Sequence, residues 1–176
     1  MKSVLHTRET LEPPAGTSLE HPIAFIGAST SNLYGARIAQ KRGHAVIVFE
    51  RKPNLRNDTI RQLPEPLLTR FDYPIAPYVR LTDLKKHLAE DLEVEFETAC
   101  DVKDGILFVN DEPYETRAII MNTGQKDIEI EGVHTYSYAT DKRYAGASLE
   151  DACDKVEGII EEIDEDHITR EEHESP

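Results

Sequence analysis

The sequence predicts an α/β domain: a central parallel sheet flanked by helices, with a small antiparallel hairpin layer. Three observations carry this expectation. A short apolar run, Ile23-Ala24-Phe25-Ile26, ends at Gly27 and is followed by a helical stretch and then by a second apolar run, Ala45-Val46-Ile47-Val48-Phe49. Strand, tight turn, helix and strand in so few residues form a βαβ unit, whose crossover makes the two strands parallel. A further run, Ala118-Ile119-Ile120-Met121, has no polar alternation and suits a strand buried on both faces. Finally, Leu149, Ala152, Cys153, Val156, Ile159, Ile160 and Ile163 recur at helical spacing, the mark of one long amphipathic helix.

The elements follow in order. Residues 1–20 are polar, contain Pro13-Pro14 and read as a flexible arm. The first helix is predicted over residues 33–42, with Gly43 in the C-terminal capping position. Between Pro53 and Pro77 lie five prolines and little periodicity, which predicts a long excursion with a short helix near residues 58–63. Loops of that length tend to be functional or to face a partner. Thr82-Asp83 then caps a helix with the stripe Leu84, Leu88 and Leu92. Residues 94–98 alternate like a strand, and residues 106–109 and 114–116 flank the turn Asn110-Asp111-Glu112-Pro113 as a hairpin. One more strand is expected over residues 135–140, and Ser148 with Asp151 forms an approximate capping box for the last helix. The chain divides into the arm, a single domain over residues 21–163, and an acidic tail over residues 164–176.

With 176 residues the chain holds one domain with a real core. Its net charge of −14 is uneven: from Glu150 onward twelve carboxylates face only Lys155 and Arg170. An acidic surface repels phosphate backbones, so nucleic acid is not an expected partner. No apolar run reaches the length of a membrane helix, and the first residues lack the features of a signal peptide, so the expected location is the cytoplasm. Cys100 and Cys153 form no Cys-x-x-Cys, and no residues have metal-ligand spacing.

The turn after the first strand is the candidate site. A dinucleotide-binding turn uses glycines for the tight bend, for close approach of backbone to pyrophosphate, and for packing helix against strand. Here those places are held by Gly27, Ser29 and Asn32, with Ala28 between the first two. Glu50 ends the second strand, where a carboxylate can accept hydrogen bonds from ribose hydroxyls, and Arg51 follows it. The helix N-termini near Ser31 and Ser148 would attract an anion.

The turn together with Ala45 to Pro53 resembles the start of the two-dinucleotide-domain flavoproteins, the thioredoxin-reductase-like family. Three further stretches resemble that family in order. Residues 94–98 and the hairpin are similar to its small crossover sheet, Asn122-Thr123-Gly124 to its Ala-Thr-Gly, and residues 132–141 with the Ser148 helix to its late Gly-Asp segment. The resemblance implies a Rossmann-like FAD/NAD(P)-binding domain with FAD, or another adenine dinucleotide, held by Gly27, Ala28, Ser29, Asn32, Glu50, Arg51, Thr123 and Gly124. It also implies departures. Only residues 125–131 separate the two late motifs, where the family carries an NAD(P)H domain, and the redox dithiol is absent. No catalytic residue is assigned, and a flavin-dependent oxidoreductase of this form needs an electron donor from a partner. Asn32 is expected to push the helix off the strand or to demand a wider packing distance, and Tyr138 to crowd the path of the flavin's ribityl chain. The alternative is a degenerate, non-catalytic relative that binds no cofactor and serves as a scaffold or interaction module for another protein or a second copy of itself.

Overall fold

The computed structural model describes residues 21–138 and 145–174. The arm, residues 139–140 of the expected late strand and the last two residues lie outside that range. Five strands form a parallel sheet in the order β10-β9-β1-β2-β5. These are β1 (Ile23–Ile26), β2 (Val46–Phe49), β5 (Val94–Glu95), β9 (Ala118–Asn122) and β10 (His134–Tyr136). β1 lies at the centre, registered Ile23 to Val46 on one side and Ile23 to Ala118 on the other.

Both faces of the sheet are covered, which is why its strands are apolar without alternation. On one face Ile23, Phe25, Val46, Val48 and Ile120 join a core with the helices α1 (Thr30–Lys41), α2 (Glu65–Arg70), α3 (Leu81–Leu88) and α4 (Ala145–Glu174). On the other face Ala24, Ile47, Phe49 and Ile119 pack against Leu107, Val109 and Tyr114 of a three-stranded antiparallel sheet. That sheet comprises β6 (Cys100–Lys103), β7 (Ile106–Val109) and β8 (Glu112–Tyr114). Two-residue turns join its strands, and Asp104, Gly105, Asn110 and Asp111 all have positive φ. That is the mirror-image turn whose twist suits a hairpin.

Several boundaries differ from expectation. Helix α1 begins at Thr30, because Ser29 caps it by accepting a hydrogen bond from the Asn32 amide at 3.2 Å. The excursion has no helix at residues 58–63. Ile60–Arg61 pair there as β3 with Val79–Arg80, β4, and the short helix lies at α2, where Pro66 occupies a first-turn position that needs no amide donor. Helix α3 starts at Leu81, since Thr82 Oγ is committed to the Asn57 backbone rather than to a cap. Residues 94–98 do not belong to the small sheet: Val94 and Glu95 add an edge strand to the parallel one, and β6 takes their expected place. Helix α4 already runs from Ala145, so Ser148 lies inside it rather than at its cap, and it continues without a break past Ile163. Cys153 is fully buried in its stripe, and burial pushes both thiols, Cys100 and Cys153, up to about 12.

The end of that stripe is tied to the sheet by a polar chain on the side opposite the Gly27 turn. Asp164 accepts from Arg42 at 2.8 Å and from His44 Nε2 at 2.5 Å. Arg117 can only donate, so its 2.6 Å contact makes His44 Nδ1 the acceptor and leaves the proton on Nε2. Burial pushes the Asp164 carboxyl up, but the bonds from Arg42 and His44 outweigh it and hold the group below its ordinary 3.8. A depressed carboxylate stabilises the fold fully above the unfolded value and loses that contribution as pH falls through the folded one. Asp164→Asn is therefore expected to be less stable than the parent at pH 7, with the difference shrinking below about pH 4. Urea denaturation at pH 7 and pH 3 checks this; an equal difference at both would show that the pair does not act through its charge.

Candidate functional site

The chain turns one way from β1 to β2 and the other way to β9, so the crevice above the C-terminal end of β1 is the topological switch point where ligands bind open α/β sheets. Two connected clefts occupy this place. One, of about 230 Å³, is lined by Gly27, Ala28, Ser29, Glu50, Lys52, Arg56 and Lys85 among others. The second, of about 370 Å³, runs from Ser29, Thr30 and Ser31 to Arg61, Asn122, Gln125, Tyr138, Ser148 and Ala152. Ser29, Asn57 and Lys85 line both.

Gly27 has φ of +95°, a left-handed conformation that only glycine adopts without strain. A Cβ built there would meet nothing within 4 Å, so the space in front of the turn is open. Glu50 holds this turn to the end of β2: Oε1 accepts from the Ala28 amide and Oε2 from the Lys52 amide, each at 2.8 Å. Each oxygen keeps a free lone pair, so the carboxylate can brace the turn and still accept ligand hydroxyls. Thr30 and Ser31, in the first turn of α1, line the second cleft at the positive end of that helix, where the backbone amides have no partner in the helix itself.

Asn32 does not push the helix off the strand. It is fully buried, and its Nδ2 donates to the carbonyls of Ile26 and Gly27 at 3.0 and 2.9 Å. Its Oδ1 accepts from Tyr136 at 2.7 Å. With that proton spent, the Tyr136 oxygen accepts from Ser31 Oγ at 2.8 Å, which in turn accepts from Asn122 Nδ2 at 2.9 Å. Asn122 Oδ1 closes the run by accepting from the Gly124 amide at 2.8 Å. Every link has one consistent donor direction, and burial raises the Tyr136 phenol well above its ordinary value, which keeps it a donor. A polar tether has replaced the close glycine contact. The glycine that permits close packing is Gly35, where a Cβ would lie 2.6 Å from Val156 Cγ2 of α4.

The structure thus brings Gly27, Ala28, Ser29 and Glu50 to one cleft. Asn32 lies beneath it. Arg51 lines a further cavity with Thr98 and Cys100, one that shares Gly27 and Glu50 with the first cleft. Thr123 Oγ bonds the carbonyls of Lys126 and Tyr136, and Gly124 turns the chain at φ +74°; neither lines the two clefts. Tyr138 lines the second cleft. Sequence reasoning missed Asn57, Arg61, Lys85 and Asn122. The first three come from the excursion and α3, folded back over the strand ends. Arg70 helps hold them there: it bonds Tyr34, Asp154 and Glu157 and so clamps α2 to α1 and α4.

The electrostatics of the clefts oppose those of the chain. Among the described residues lining them, Glu50 is the single acid, against Lys52, Arg56, Arg61 and Lys85, in a protein of net charge −14. Among the described residues no cluster of His, Cys, Asp or Glu could hold a metal ion, and no helix is long and apolar enough to cross a membrane.

The topology defines a Rossmann-like α/β fold. No protein-family model matches the sequence, and no curated protein matches it. Similar solved structures include one in complex with FAD, a flavoprotein/dehydrogenase and a flavin-dependent brominase. CtdE in complex with FAD shares 12% identity at a TM-score of 0.48, over 61% of this chain and 39% of that one. A flavoprotein/dehydrogenase from Cytophaga hutchinsonii shares 15% at 0.43, over 57% and 38%. The flavin-dependent brominase Bmp2 shares 14% at 0.47, over 60% and 38%. The chain spans about two fifths of the length of these structures.

Proposed function

We propose that this chain is a nucleotide-binding domain for FAD or a related adenine dinucleotide. The observation that carries the reading is the cleft at the switch point, open over Gly27, basic in an acidic protein, with one carboxylate at the ribose position. Glu50 accepts the hydroxyls of the adenine ribose, the Thr30 and Ser31 amides and the flanking cations take the diphosphate, and the second cleft takes the remainder of the ligand. Bound flavin supplies hydride and electron chemistry of its own; this chain's residues bind it and orient it. We read the chain as thioredoxin-reductase-like from the order of its segments: the Gly27 turn, Glu50, the small antiparallel sheet, Asn122-Thr123-Gly124 and α4. β9 passes to β10 through residues 123–133 alone, so in this reading electrons come from a partner protein in the cytoplasm.

A second reading, a non-catalytic interaction module, draws on the tether that occupies Ser31 and Asn32, on Tyr138 in the cleft wall, and on Ile60, Ile75 and Tyr78, each more than half exposed on the excursion. Titration with FAD, followed by flavin fluorescence, separates the two. Saturable binding in the micromolar range supports the first reading, and a flat response to FAD and to ADP overturns it.

A further inference from the structure

Lys85 stands where the two clefts meet. It is one of three residues that line both, and the only charged one of the three. Its helix is fixed: Leu84 and Leu88 are buried, Thr82 exchanges hydrogen bonds with the Asn57 backbone at 2.7 and 2.8 Å, and the Leu81 amide donates to Thr59 at 2.9 Å. Unlike the Arg56 guanidinium, which pairs with Asp58 at 2.9 Å, the Lys85 ammonium makes no hydrogen bond or ion pair among the described residues. It is also partly withdrawn from water. Burial lowers its pKa, with Glu50 raising it and Lys52 lowering it further, so the ammonium sits in the field of the carboxylate on which the ribose would rest. A half-buried cation without a partner is costly, and an anion placed between the two clefts would relieve that cost.

Resting on the nucleotide reading above, we propose that Lys85 is the diphosphate anchor of this site, so that the ligand class is a nucleoside diphosphate or its ester. The ligand's phosphates lie at the junction of the clefts, with the nucleoside on the Glu50 side. The lysine comes from α3, beyond the excursion, and takes over part of the phosphate contact that bare backbone at the second glycine would make. A point charge on a flexible stem suits this role without demanding close backbone approach.

The test compares adenosine with ADP on the full chain, by calorimetry, for the parent, Lys85→Met and Lys85→Arg, with circular dichroism confirming the fold of each. The parent is expected to bind ADP at least about tenfold more tightly than adenosine. In Lys85→Met that preference is expected to collapse while adenosine affinity stays unchanged, and Lys85→Arg is expected to restore most of it. If Lys85→Met binds ADP as the parent does, or weakens adenosine and ADP equally, the anchor role is overturned and the nucleotide reading stands. If the parent binds neither compound, both fall together.

Discussion

Asn32→Gly, which restores the glycine of a standard dinucleotide-binding turn, is expected to lower stability by about 2–4 kcal/mol. The parent side chain is fully buried and makes three hydrogen bonds, to Ile26, Gly27 and Tyr136. Removing it empties a polar cavity, leaves Tyr136 without its acceptor, and adds the backbone entropy of glycine within the first turn of α1. The loss also reaches the ligand side, because Ser31, which lines the second cleft, is held through Tyr136. Urea denaturation of parent and variant measures it directly, as a shift in midpoint at constant slope. A neutral or stabilising result would mean that the chain Asn122–Ser31–Tyr136–Asn32 contributes nothing net, and that Asn32 is a passive replacement.

Glu50→Gln is expected to cost about 1–3 kcal/mol of stability and to weaken nucleotide binding at least about tenfold. Both carboxylate oxygens face backbone N–H donors, from Ala28 and Lys52. An amide offers only one acceptor, so its NH₂ group confronts one of those donors whichever way it turns. The same change removes the charged acceptor for the ribose. The two effects are separable, since stability is read without ligand and affinity on the folded fraction alone. A variant that folds as well as the parent would show that the brace on the Gly27 turn is dispensable. A stable-enough variant that keeps full affinity would show that the ribose is held elsewhere.

The main frame was legible because it rests on long-wavelength patterns. β1, β2 and β9 are apolar runs ended by turn residues, and the α4 stripe persists over four turns; burial on both sheet faces produces the first and a single buried face the second. Short elements at edges were not legible. Val94 and Glu95 make two residues of parallel pairing, too few for alternation to reveal which sheet they join. β6 could have been found from Asp104-Gly105, a turn dipeptide followed by an apolar run, whereas β3 and β4 are two residues each and carry no pattern. At the site, Gly27 and Glu50 were legible because their roles follow from position along a βαβ unit. Asn32 was misread because a motif describes which side chains are absent, and the tether depends on what is present 104 residues away at Tyr136. Lys85 was invisible for a related reason: on α3 it reads as a solvated lysine beside the Leu84 and Leu88 stripe, and only the folding back of the excursion puts it over the cleft.

The proposed function requires that the crevice over β1 hold an adenine nucleotide. Backbone amide resonances, recorded by NMR during titration with FAD, test it residue by residue. Saturable shifts are expected, centred on Gly27, Ala28, Thr30 and Ser31, with Glu50, Lys85 and Asn122 following on the same isotherm. An unchanged spectrum, or shifts confined to the exposed face around Ile60, Ile75 and Tyr78, would contradict it.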